Sequence, residues 1–556
     1  MAQSHHNLTT DVLVVGGGLA GCWAAIRARQ VGADVILVDK GPVGKTGQSK
    51  FASGDIKCFM TGDVLTEWID EIFVGGDHIG DRRWIEIVLR ETYPRVLDMD
   101  AMGVKFEKYD GEFKREFGRG NITRQVVFNS AQMMLAMRQA AEKAGVRILD
   151  NLFVTDLLVE DGKTRGALAV DKRSGDLVCF ASKTIIMAAG GCAFRHAYFG
   201  NQFSTGDAYS LAYDVGAEMM NFEFAGYNSC AKAFPSTGMS RLVAFGGVFR
   251  NGSGQPFMER YDPLNKDRAQ LTNLAIGMAK EVRAGRGPIY FDLTGMPPDK
   301  LDLSRKLIPW NFQLLEKAGI DVRTQPMEWI PAFLGVGATS SGIKTDFQHK
   351  SNIDGLYACG DAWASTLNGA GMGFGGLNLA LCSVSGYRAG ENAADWSRSV
   401  GIAPAPTRLV EEKAREARQP LKRVAGLQPD GLILKLQEIL IPYEVLILRH
   451  GTRLERALEQ VRLLKDEAGR LSAQDPHELV KGLELKNMIT VAEMILSCAI
   501  SRTESRGLHY RDDYPARDDK GWLNWVVLSR KGDAMKLCTE PIPGEAFGSP
   551  SAGTER

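Results

Sequence analysis

Asp11-Val-Leu-Val-Val15, followed by Gly16-Gly17-Gly18-Leu19-Ala20-Gly21, is the stretch whose reading decides the fold. An apolar run of strand type meets a GxGxxG turn, and the residues through Gln30 then read as a helix. A second apolar run, Asp34-Val-Ile-Leu-Val38, ends in Asp39. In this order each glycine has its own task. Gly16 makes the turn, Gly18 lets backbone approach a pyrophosphate, and Gly21 packs the helix onto the strand. The helix N-terminus then faces the phosphates, and Asp39 is placed to grip ribose hydroxyls. Ala20 and Lys40, beside these residues, join the expected nucleotide-facing set.

Two later segments choose between NAD and FAD. Thr184-Ile-Ile-Met-Ala-Ala189 reads as a strand running into Gly190-Gly191, and Gly355-Leu-Tyr-Ala-Cys-Gly360-Asp361 as another ending in Gly and an acid. Flavin enzymes with two dinucleotide-binding segments return a late strand to the same nucleotide, where its terminal acid binds the ribitol chain. Ahead of both, Val154–Gly162 and Gly166–Val170 read as a hairpin. The order of these pieces predicts FAD, with Val154, Ala189, Gly190, Gly360 and Asp361 facing it.

Composition agrees with a large soluble enzyme. The chain has 556 residues, 44% hydrophobic and 24% charged, which excludes wholesale disorder and predicts two or three domains. Lys+Arg and Asp+Glu both number 67, so no net field steers nucleic acid or an anionic membrane. Nine scattered cysteines never form CxxC, which argues against a disulfide framework, zinc ribbon or iron–sulfur cluster in this chain, and no metal site is expected. Met1–Thr10 lacks a basic and apolar leader, and no stretch is apolar enough to span a membrane. A cytoplasmic protein without direct membrane insertion is expected. Gly is the outlier, at 61 residues.

Further segments resemble one family, the succinate dehydrogenase/fumarate reductase flavoproteins, which include L-aspartate oxidase and the adenylylsulfate reductase alpha subunit. Ser49-Lys50-Phe51-Ala52-Ser53-Gly54 resembles the family segment beside the flavin ring, and Thr205-Gly206-Asp207 its TGDG turn. Phe257–Tyr261 and Gly285-Arg-Gly287 resemble the capping domain. Arg502-Thr-Glu-Ser-Arg-Gly-Leu-His509, then Tyr514-Pro515, resemble the C-terminal helical signature, which implies that Arg506 and His509 sit near the flavin or the domain joint. Asn378 joins the cofactor set. The resemblance implies an α/β fold: a Rossmann-like FAD domain (8–220 and 350–400), an inserted α+β capping domain (221–349), a C-terminal helical domain (407–530) and a tail (531–556). Residues 401–428 read as a Pro-containing linker, and the tail from Glu540 as poorly ordered.

The departures from the family are as informative. Members that tether FAD do so through a His after the second strand; Gly44–Met60 contains none, so noncovalent FAD is expected. The family holds dicarboxylates with cationic groups, since hydride transfer at the flavin must be matched by proton transfer and the anionic ends must be fixed. Its QFHPT segment corresponds to Phe222–Asn228, without His. Its HYNMGG segment corresponds to Gly337–Gly342, again without His. Its HGANRLG segment corresponds to Asn368–Phe374, and no Arg occurs from Asp361 to Tyr387. The capping-domain proton shuttle falls near Leu271, with Arg268 one helical turn earlier as a possible substitute. Tyr227, Asn228 and Asn368 complete the candidate catalytic set, in a pocket otherwise offering Phe333, Leu334, Met372 and Phe374. Gly285-Arg-Gly-Pro-Ile-Tyr290 resembles the adenylylsulfate reductase branch most, although Gly335–Thr339 lacks that branch's active-site His. His196 reads as structural, and Cys359 as a buried filler.

These readings predict an FAD-dependent oxidoreductase subunit in a hetero-oligomer. It would pass a hydride between an organic substrate, not succinate, fumarate or L-aspartate, and flavin, and exchange electrons with an iron–sulfur or ferredoxin-like partner. A standalone flavin oxidase or reductase and a noncatalytic electron relay are the alternatives.

Overall fold

The strand His6–Val15 lies between Val35–Asp39 and Leu177–Met187 and runs parallel to both. Val12, Leu13 and Val14 are buried completely, as expected where helices cover both faces of a parallel sheet. This is a computed structural model, describing residues 6–117, 122–196, 198, 200–236, 238–371 and 375–543. Arg147–Asp150 extends the sheet in parallel beyond Val35–Asp39. On the other side Leu177–Met187 has two partners. Its first half pairs antiparallel with the Leu152–Glu160/Lys163–Asp171 hairpin, and its second half pairs in parallel with Leu356–Ala358. The late strand therefore returns parallel to the first, one strand away from it across Leu177–Met187.

Helix Leu19–Gln30 opens directly from the glycine turn and packs along helix Leu377–Ser397. Their backbones nearly touch: a Cβ on Gly386 or Gly390 would stand 2.4 Å from Ala20 O or 2.3 Å from Ala24 O. This contact holds the first and last parts of the nucleotide-side fold together.

Residues between them build a second unit. Val248–Arg250, Tyr290–Asp292, Met327–Gly335 and Gly226–Ala231 form an antiparallel sheet with its own apolar core, in which Phe291 lies 4.6 Å from Phe249 and 4.9 Å from Trp329 between ring centroids. Helices Pro429–Leu440, Gly451–Ala468 and Pro476–Ser501 then pack on one another. The last is buried on nearly every side, including Leu485, Met488, Ile489, Ala492, Ile495, Leu496 and Ala499.

The chain differs from expectation in two places. The 401–428 segment contains helix Thr407–Ala417, because Val410 and Ala414 recur at helical spacing and pack against the Leu152–Asp171 hairpin. Residues 534–541 are a strand rather than tail, paired with Asn524–Lys531, which also pairs with Met219–Met220. The rest of the expected tail, from residue 544, lies outside the described residues. Among the described residues no helix is long and apolar enough to cross a membrane.

A buried ion network joins the parts. Arg502 pairs with Glu223 at 2.9 Å and with Glu504 at 2.8 Å, and Glu504 also takes Arg506 at 2.7 Å, with all four side chains fully buried. His509 Nδ1 lies 2.6 Å from an Arg449 nitrogen. Burial, then the Arg449 and Arg502 charges, holds the His509 pKa well below its ordinary value. His349 is also buried, with ring centroids 4.5 Å from Trp363 and 5.1 Å from Trp84, and burial followed by Arg388 brings its pKa down to about 3.

Both imidazoles are neutral when folded and take up a proton on unfolding once the pH falls below about 6.5. Their contribution to stability is therefore complete above that pH and is lost on acidification, at up to about 1.4 kcal/mol per pH unit for each. Urea midpoints of the wild type should fall from about pH 7 to pH 5, and His349→Asn should flatten that slope by roughly one proton. An unchanged slope in the variant contradicts the assignment to His349.

Candidate functional site

The carboxyl ends of the parallel strands open on a cavity of about 320 Å³, where doubly wound sheets place their ligands. Gly16, Gly18 and Ala20 form one wall, and Asp39, Lys40 and Ser49 the next. Val154, Ala189, Gly190, Asp207 and Asp361 close it from the other segments. All of these were expected from sequence, and the fold brings them together.

The glycine turn is tight behind and open in front. Gly16 has φ +110°, and a Cβ there would lie 2.3 Å from Ala188 O. A Cβ on Gly21 would lie 1.8 Å from Gly16 O, so Gly21 supports the turn from behind and does not line the cavity. In front, a Cβ on Gly18 would meet only the end of the Ser49 side chain, at 3.3 Å, and one on Gly190 would meet nothing within 4 Å. That free space is a cradle for a ligand's backbone-hugging part.

Two acids face the cavity in different states. Asp39 accepts from the Gly17 and Gly41 amides at 2.6 and 2.7 Å, although burial still raises its pKa. The Asp361 Oδ1 atom is buried with no hydrogen-bond partner among the described residues, and burial pushes its pKa up to about 6. An acid left this way is costly unless a ligand hydroxyl donates to it. The residues present thus fit a dinucleotide with a polyol chain.

The sequence reading missed the far wall. Helix Pro476–Ser501 contributes Val480, Lys481 and Glu484 to the lining. Lys40 Nζ donates to Thr205 Oγ1 (2.5 Å), Asp207 (2.8 Å) and Glu484 (2.8 Å), while Arg195 reaches the other Glu484 oxygen at 2.5 Å. Asn487, one turn along the helix, donates to Asp207 at 2.9 Å. Burial opposes the Lys40 charge, but Asp207 and Glu484 outweigh it and raise the pKa. Phe194 and Arg195 both take φ +54°, a strained region for such residues, and thereby hold Arg195 on Glu484. The only sequence signal was a Glu–Asn pair at i,i+3 inside an apolar helix.

Other expected cofactor residues stand off the lining. Thr205 lies behind Lys40. Gly360, with φ +61°, packs toward Ala20, where a Cβ would come within 2.7 Å. Lys50 Nζ donates to Lys45 O, Ala52 is half-buried, and the exposed Ser53 bonds Asp55. Gly54 packs on Phe128 O, and Asn378 accepts from Asn368 at 2.7 Å.

The candidate catalytic residues do not line this cavity either. Tyr227 is buried, its hydroxyl 3.5 Å from Leu508 O. Asn228 donates to the Tyr198 hydroxyl at 3.2 Å. Asn368 donates to Ala338 O at 3.2 Å, and its own oxygen is buried without a partner among the described residues. Arg268 is a correction: it ends an exposed 3-10 turn, and the helix begins only at Leu271, because Ala269 and Gln270 leave helical geometry. Met372 and Phe374 lie outside the described residues. His196 has a buried Nδ1 without a partner there, Cys359 is fully buried, and Arg506 and His509 lie in the buried ion network at the junction.

Comparison with known proteins agrees with this geometry. Residues 11–376 match the FAD binding domain family, and residues 434–551 match the fumarate reductase flavoprotein C-terminal family. The chain is 29% identical over 548 residues to a fumarate reductase (CoM/CoB) subunit from Methanothermobacter marburgensis, covering 94% of this chain and 97% of the relative. Among solved structures, a variant of E. coli quinol fumarate reductase FrdA superposes with a TM-score of 0.88 at 22% identity, over 99% of both chains. Adenylylsulfate reductase of Archaeoglobus fulgidus does so at 0.82 and 21%, over 98% of both. The chain is therefore an FAD-dependent oxidoreductase flavoprotein of the succinate dehydrogenase/fumarate reductase family.

Proposed function

We propose that FAD lies noncovalently in this cavity and that the chain is the flavin subunit of a complex acting on an organic substrate other than a simple dicarboxylate. The observation that carries the cofactor placement is the buried, unpartnered Asp361 oxygen, in a cavity built jointly by both nucleotide segments. Gly18 and the N-terminus of helix Leu19–Gln30 take the pyrophosphate, Asp39 the adenosine ribose, and Asp361 the ribitol hydroxyls. Ser49, Lys50, Ala52, Ser53 and Gly54 flank the ring side, with Asn378 at the start of the late helix. Bound there, the flavin supplies hydride transfer to or from substrate and electron exchange with a partner.

The substrate reading rests on the neutral groups at the positions where relatives carry cations. Asn228, Asn368 and Ser340 are engaged by Tyr198, Ala338 and Gly369, and Arg268 is exposed. Two anionic ends have no matching clamp in this set. The name of the Methanothermobacter relative favours a second reading, reduction of fumarate itself. That relative is named as one subunit of its enzyme, which, with the absence of CxxC here, supports an iron–sulfur or ferredoxin-like partner.

Anaerobically reduced holoprotein mixed with fumarate separates the two readings. The expected result is a flavin that stays reduced over minutes and reoxidises on adding oxidised ferredoxin. Prompt reoxidation by fumarate establishes the second reading, and rapid reoxidation by air alone marks a standalone oxidase.

The far wall has its own test. Glu484→Gln should weaken FAD binding by about tenfold, roughly 1.4 kcal/mol, because Lys40 and Arg195 lose their shared anchor. Fluorescence of released flavin measures it. Glu493→Gln, on the same helix but paired at the surface with Lys465, should leave FAD affinity unchanged. Equal FAD affinity in Glu484→Gln and wild type would remove that helix from the cofactor site.

A further inference from the structure

A dinucleotide brings charge that its cavity must meet. Each phosphate of the diphosphate is anionic, and the N-terminus of helix Leu19–Gln30 offers only about half a positive charge. Most lysines and arginines lining the cavity are already committed. Lys40 donates to Asp207 and Glu484 at 2.8 Å each, Arg195 to the other Glu484 oxygen, and Lys481 to Asp430 at 2.8 Å. Lys172 is the exception. It lines the same cavity, half-buried, and its ammonium makes no hydrogen bond or ion pair among the described residues.

The carboxylates near it are taken. Glu484 is shared by Lys40 and Arg195, and Asp39 accepts from the Gly17 and Gly41 amides at 2.6 and 2.7 Å. Burial lowers the Lys172 pKa, Glu484 and Asp39 oppose that, and Lys40 and Arg195 add to it. A cation held there beside two others is costly unless an anion joins it. The backbone fixes it in this place. Lys172 follows strand Lys163–Asp171, and its amide donates to Asn151 O at 3.0 Å, just before strand Leu152–Glu160. The turn after it is packed on the start of the far-wall helix, where a Cβ on Gly175 would stand 3.1 Å from Pro476 Cγ. Asp39, and not Asp361, is among the charges acting on Lys172, which sets it at the adenosine end of the cavity.

We propose that Lys172 binds the adenosine-side phosphate of FAD, donating from its ammonium to a nonbridging phosphate oxygen, and so sets how tightly this chain holds its cofactor. The free cation and the uncompensated phosphate meet in one cavity, and a charge-assisted bond between them answers both deficits. The inference rests on the FAD placement proposed above.

The test uses FAD-loaded full-length protein, with released flavin read by its fluorescence and with AMP and adenosine as competitors. Lys172→Met should weaken FAD binding by about tenfold, and Lys172→Arg should recover most of the loss. Added salt should loosen FAD from wild type, and this dependence should be shallower in Lys172→Met. AMP should displace FAD from wild type at lower concentration than adenosine does. Lys172→Met should narrow that gap by about tenfold, which a merely structural loss would not do. Arg173→Met, next in the chain but exposed and outside the lining, should leave FAD affinity unchanged. Should Lys172→Met fail to fold, Lys172→Gln is read in the same way. A Lys172→Met variant that holds FAD as tightly as wild type, or that keeps the full gap between AMP and adenosine, overturns the inference and leaves the FAD placement standing. Equal weakening in Arg173→Met does the same. A wild type that fails to hold FAD at all overturns both.

Discussion

Everything around the cofactor cavity depends on one backbone contact that no side chain could enter. Gly21 sits against the carbonyl of Gly16, and Gly16 against the carbonyl of Ala188. The first strand, the opening helix and the strand Leu177–Met187 are thereby pressed into one plane of approach. The helix N-terminus points into the cavity, and the segment Ala188–Gly190 crosses beside it. Gly360 extends the same logic, packing on Ala20 so that Asp361 arrives at the cavity from a strand far along the chain. The shape of the cavity follows from sterics before any charge is considered.

Charge then holds the parts that sterics cannot. A net charge of zero gives no hint of it, since the ions are spent in pairs inside the molecule. Lys40, Asp207, Glu484 and Arg195 tie the cavity to the C-terminal helix. Glu223, Arg502, Glu504 and Arg506 tie that helix's exit to the start of the second unit. Buried pairs of this kind add little net stability, but losing one partner strands a charge, at about 3–5 kcal/mol. Their role is to specify how the parts sit together.

The same division explains what the sequence made legible. The nucleotide motifs are local: spacing alone sets Gly16, Gly18, Gly21 and Asp39, and strand order adds Ala189, Gly190 and Asp361. Glu484, Arg195 and Asn487 were not legible, because their partners lie hundreds of positions away. Helix Thr407–Ala417 hid behind the prolines before it, since its stripe gains meaning only against the hairpin it covers. The glycines beside Asn368 are understood only in three dimensions. Gly369 and Gly371 admit the carbonyls of Gly76 and Gly75, and Gly507 admits that of Ala370, so the turn is packed backbone to backbone. Those glycines serve close packing.

That packing bears on chemistry. A turn pinned at Gly369, Gly371 and Gly507 holds Asn368 where its amide donates to Asn378 and Ala338. Strand Asp55–Lys57 also touches the end of this turn, through the Lys57 amide on Gly376 O. An arginine offers a planar fork suited to two-point grip of a carboxylate, while a buried lysine is a point charge whose neighbours set the geometry. In the Asn368 turn the described residues offer no such fork, only an amide committed to Asn378 and Ala338.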